Sequence, residues 1–111
     1  MLMPQLADRD DKLRRAYSRL SAIQRNVPPP PNYVVEYGLI EEYHGALRHL
    51  EDLGYDVAEF KVSDNQIDRS PNSGMLYVNR SLFLAKVESA LSYFDMEQQR
   101  PKPTIGFRRQ P

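Results

Sequence analysis

Apolar residues recur through the first part of the chain at intervals of three, four and seven positions. Leu6, Leu13, Tyr17, Leu20, Ile23 and Val27 fall within about a third of a helical wheel. This spacing predicts an amphipathic helix over residues 4–27. Arg14, Arg15, Arg19 and Arg25 lie off the stripe, and Asp8, Asp10 and Asp11 gather toward its N-terminal end, an order that suits the helix dipole. Leu6, Leu13, Leu20 and Val27 also repeat in heptads, but Arg9 takes a core position of that repeat. One apolar face packed on its own domain is therefore favoured over a free-standing coiled coil.

Pro28 to Pro31 stop this helix, because proline lacks an N–H and disfavours helical geometry in the residue before it. A second helix is expected over 33–53, with Asn32 as its N-cap and an apolar stripe of Tyr33, Tyr37, Ile40, Tyr43, Leu47 and Leu50. Gly54 follows as the residue that closes it. The periodicity then fails from Tyr55 to Val78. Asp56 and Glu59 have capping-box spacing and predict a single helical turn around residues 57–60. Asp68 to Gly74 has loop composition, and "MLYV" from Met75 reads as extended but finds no partner strand.

A third helix is expected over 80–98, capped by Asn79 or Ser81. Phe83, Leu84, Val87, Ala90, Leu91 and Phe94 form one face, while Leu82, Tyr93 and Met96 gather on another. The first helix is the expected cover for that second face. Residues 99–111 carry three prolines, four bases and no periodicity, and read as a flexible basic tail. The resulting expectation is all-α: three amphipathic helices, an irregular 55–78 connection and a Pro-rich basic tail. Residues 1–98 form a single helical domain in which 1–27 doubles as a dimerisation or docking arm and 28–32 is a proline hinge.

Composition changes this picture little. The 111 residues are 41% hydrophobic and 27% charged, as in ordinary globular domains. With no cysteine, disulfides and thiolate metal sites are excluded. The longest apolar runs are too short to span a bilayer, and the N-terminus turns acidic at once without an apolar signal core. A cytoplasmic protein with no membrane role is expected.

The zero net charge conceals a pattern. Residues 1–26 hold six bases and three acids, residues 33–69 nine acids and three bases, and residues 99–111 four bases and no acid. Basic ends around an acidic middle point first to internal neutralisation, and second to polyanion binding by the ends.

Arg25 to Pro31 satisfies basic-x-apolar-Pro-x-apolar-Pro and so resembles ligands of SH3 domains; Pro30-Pro31-Asn32-Tyr33 has the Pro-Pro-x-Tyr form that WW domains read. Val27 and Tyr33, however, complete the apolar stripes of the two flanking helices. Both are expected to be buried, which makes the run a joint. Glu41 and His44 have the Glu-x-x-His spacing of carboxylate di-metal bundles, but a second copy is missing, since Ala46 stands three residues before His49. His44 also falls on the apolar stripe, where a packed, hydrogen-bonded histidine is the commoner outcome. No metal or other cofactor is expected.

No Gly-x-Ser-x-Gly, nucleophile–base pair or glycine-rich phosphate loop is present, so the chain is read as non-enzymatic. The leading expectation is a protein–protein interaction module, a small homodimer or an accessory subunit of a larger assembly. Surplus apolar faces motivate it, with Leu6, Leu13, Tyr17, Leu20, Leu82 and Tyr93 as partner-binding candidates. The alternative is an RNA- or DNA-binding accessory protein. It would use Arg14, Arg15 and Arg19 on the first helix and Arg100, Lys102, Phe107, Arg108 and Arg109 in the tail, cations for phosphates beside an aromatic for stacking.

Overall fold

A computed structural model describes residues 3–99, with side chains from Asp8 onward. Helix α1 runs Met3–Arg25, strand β1 Val34–Glu36 and helix α2 Tyr37–Asp52. Two single-turn 3-10 helices follow, at Ala58–Phe60 and Asp64–Gln66. Strands β2 (Ile67–Arg69) and β3 (Leu76–Asn79) then lead into helix α3, Arg80–Gln99.

The all-α expectation is overturned: the chain is α+β, with an antiparallel sheet in the order β1-β3-β2. Val35 and Ile67 both pair with Val78, so one row of β-branched residues crosses the sheet. Val35 and Val78 are buried under α2 and α3, while the row Glu36, Tyr77 and Asp68 lies on the other side of the pleat. The partner that "MLYV" lacked is supplied twice over. One strand comes from "VVE", read as the first turn of the second helix, and the other from "IDR" inside the 55–78 connection. Strands of three and four residues are too short for a period of two to stand out against a helical reading. The second helix consequently begins at Tyr37 rather than at residue 33.

One hydrophobic core draws on every layer. α1 contributes Leu13, Ala16, Leu20 and Ile23, α2 contributes Ile40, Tyr43, Ala46, Leu47 and Leu50, and α3 contributes Phe83, Val87, Ala90, Leu91 and Phe94. α1 packs on both α2 and α3, so the stripe expected to serve as a docking arm faces the interior of its own chain.

Local chemistry sets the joints. Gly54 has φ of +99°; its N–H donates to the Glu51 carbonyl and the Tyr55 N–H to that of Leu50, which closes α2 in a Schellman motif. Asn79 Oδ1 accepts from the Leu82 N–H at 3.0 Å and caps α3. The Asp56 carboxylate accepts from the Ala58 N–H at 3.0 Å and starts the first 3-10 turn. Its wall is then fixed by Tyr43, whose Oη donates to the Phe60 carbonyl at 2.7 Å and lies 3.2 Å from that of Lys86.

Candidate functional site

Among the described residues large apolar side chains are exposed at Tyr33 and Val34, at Met75, and on the outer face of α3. Leu82, Ala85, Lys86, Ser89, Tyr93 and Met96 fall within about 100° of the helical wheel, opposite the core-facing set. Met96 is 69% exposed and Tyr93 40%, while Leu82 is half-buried against the core. α1 was the expected cover for this face. Instead it meets α3 elsewhere, where Leu13 and Arg14 approach Glu97 and Gln98.

Beside this stripe lies a groove of about 400 Å³, walled by Glu59 and Phe60 of the first 3-10 turn and by Leu82, Ala85, Lys86 and Ser89 of α3. Small side chains at Ala85 and Ser89 make the depression. Lys86 Nζ donates to the Glu59 carbonyl at 3.0 Å, and the Phe60 and Tyr93 rings stand 5.7 Å apart, so 3-10 turn and helix are tied on both sides. Tyr93 also packs edge-on against Phe94 at 4.8 Å, which props its ring above the stripe.

The other sequence-selected residues are dispersed. Leu13 and Leu20 are buried in the core and Tyr17 is packed against it, so none of them belongs to the open face. The side chain of Leu6 and residues Arg100, Lys102, Phe107, Arg108 and Arg109 lie outside the described residues. Arg14 turns toward α3, whereas Arg15 and Arg19 line a separate cleft between α1 and α2 with Lys12 and His49.

The proline segment differs from expectation. Val27 is buried, but Tyr33 is 78% exposed; Val35, two residues on, takes the core position. Burial therefore does not bar Tyr33 from a receptor. The segment is nonetheless folded back: the Asn32 N–H and Nδ2 both donate to the Pro29 carbonyl, at 3.2 and 2.9 Å. Arg80 donates from its side chain to the Pro28 carbonyl and from its backbone to that of Tyr33. A hydrogen-bonded turn strapped to the start of α3 is not the extended polyproline II form that SH3 and WW receptors take.

His44 accepts a hydrogen bond at Nε2 from the Val62 N–H at 3.0 Å, which holds the segment after the first 3-10 turn against α2. Burial, and then the positive charges of Lys61 and Arg48, hold its pKa below the ordinary histidine value. Among the described residues no group of three or more potential metal ligands forms, and no helix is long and apolar enough to cross a membrane. Comparison with protein families, with characterised proteins and with solved structures gave no match to this chain.

Proposed function

We propose that this chain is a non-enzymatic interaction module that pairs with a second copy of itself through the outer face of α3. The observation that carries this reading is the open stripe from Leu82 to Met96, apolar at its ends and small at Ala85 and Ser89, with Lys86 drawn aside to the Glu59 carbonyl. An exposed methionine and an exposed tyrosine on one helix face, next to a groove, are the composition of an interface core rather than of a solvated surface.

A second copy is favoured over an unrelated partner because the stripe complements itself. Leu82 and Met96 stand equally far from Ser89 along the helix, as do Ala85 and Tyr93. An antiparallel pair with its two-fold axis at Ser89 sets Leu82 against the partner's Met96, and the Tyr93 ring over the partner's Ala85. Large residues meet small ones, and the groove beside Phe60 receives the ring. An isologous contact of this kind closes on itself and stops at two chains.

Sedimentation velocity over a concentration series tests the reading. The wild-type chain is expected to sediment as two chains, and Tyr93→Glu or Met96→Lys to shift it to one chain with an unchanged circular-dichroism spectrum. A wild-type chain that stays monomeric throughout the series, or a dimer indifferent to both substitutions, overturns it.

A further inference from the structure

The cleft between α1 and α2 is independent of the α3 face and has a different chemistry. Its volume is about 450 Å³, and Lys12, Arg15, Arg19, His49, Asp52 and Leu53 line it. Lys12, Arg15 and Arg19 follow one another at helical spacing, so three cations stand in a row over roughly 10 Å of helix axis.

Their partners are unequal. Lys12 pairs with Asp8 at 3.2 Å and Arg15 with Asp11 at 2.8 Å, both within α1 and both solvent-exposed. Exposed pairs of this kind exchange readily with another anion. Among the described residues no carboxylate lies within ion-pair distance of Arg19. Its guanidinium instead lies against α2 at Gly45, where a β-carbon would come within 2.9 Å of Nη2. The missing side chain lets the charge settle at the wall of the cleft.

We infer that this cleft is a binding site for an anion carrying adjacent phosphate groups, with Arg19 as its principal contact and Lys12 and Arg15 as its flanking contacts. Planar guanidinium groups suit phosphate oxygens, and a row of cations suits a linear polyanion better than a single charge. The lining holds no phenylalanine, tyrosine or tryptophan, and His49 is its one ring, so it offers a single narrow platform for base stacking beside three cations. This favours a bare polyphosphate over a nucleic-acid strand. Asp52 is the one acid in the lining, and its charge opposes the ligand.

Isothermal titration of the full chain with sodium tripolyphosphate at low salt is the test. Binding is expected, weakening steeply as salt is added. Arg19→Gln, with an unchanged circular-dichroism spectrum, is expected to weaken it at least about tenfold, a difference of about 1.4 kcal/mol. Asp52→Asn is expected to strengthen it, an effect that a merely structural role for the cleft does not produce. A triple variant in the tail, Lys102→Gln with Arg108→Gln and Arg109→Gln, is expected to leave it within about twofold, since the inferred contacts are all on α1. ATP is expected to bind no more tightly than tripolyphosphate. The inference is overturned if no binding occurs, if Arg19→Gln binds like wild type, if Asp52→Asn fails to bind more tightly, if the tail variant alone abolishes binding, or if ATP is markedly preferred.

Discussion

Tyr43 Oη donates a 2.7 Å hydrogen bond to the carbonyl oxygen of Phe60, joining the middle of α2 to the 3-10 turn that walls the α3 groove. The tyrosine is completely buried, and burial pushes its hydroxyl pKa well up, so it remains a donor at all ordinary pH. Tyr43→Phe keeps the packing and strands a buried carbonyl. The expected loss is about 1–3 kcal/mol in urea unfolding, with the slope unchanged. A loss near zero would mean that water or another donor replaces the hydroxyl.

α1 is part of the core. Leu20 is fully buried between layers, and Leu20→Ala is expected to cost about 2–5 kcal/mol. Deleting residues 1–25 is expected to abolish cooperative thermal unfolding rather than to release a folded monomer. A cooperative transition in the truncated chain would show that the remaining elements fold without α1.

His44 gives stability a pH dependence whose sign follows from its lowered pKa. The unfolded chain binds the proton more tightly than the folded one. The contribution is therefore complete above the ordinary histidine pKa of about 6.5 and is lost as pH falls from there through the folded value. Protonation also removes the acceptor that holds the Val62 N–H. The unfolding midpoint of wild type is expected to fall below pH 6.5 more steeply than that of His44→Gln, which keeps an acceptor without titrating. Parallel curves would contradict this.

Gly54, at φ +99°, occupies a conformation that a β-carbon disfavours. Gly54→Ala is expected to lower stability by about 1–2 kcal/mol, read as a lower thermal midpoint. No change in midpoint would mean that the end of α2 rearranges at no cost.

The chemistry that starts and stops the helices was legible in the sequence because it is local. Gly54, Asn79 and Asp56 each act within a few residues, and each was recognisable from its type and spacing. The sheet was not, because its strands come from distant segments and pairing is not written in any one of them. Tyr33 misled for the same reason: counted as the start of a helical stripe it points inward, but β1 places Val35 inward instead. The open face of α3 was visible as the second cluster Leu82, Tyr93 and Met96. That α1 leaves it uncovered is a fact of packing. The α1–α2 cleft was half legible: Arg15 and Arg19 stood out by charge, but their grouping with His49 depends on how two helices meet.

The proposed antiparallel pairing of two α3 helices across Ser89 sets that residue against its own copy, where a crosslink reports it. The chain has no cysteine, so Ser89→Cys introduces a single thiol, and a residue on a two-fold axis meets its own copy within disulfide reach. Under mild oxidation this variant is expected to convert rapidly to a covalent dimer, whereas Glu42→Cys, exposed on α2, stays monomeric over the same period. A Ser89→Cys chain that crosslinks no faster than Glu42→Cys would contradict this pairing.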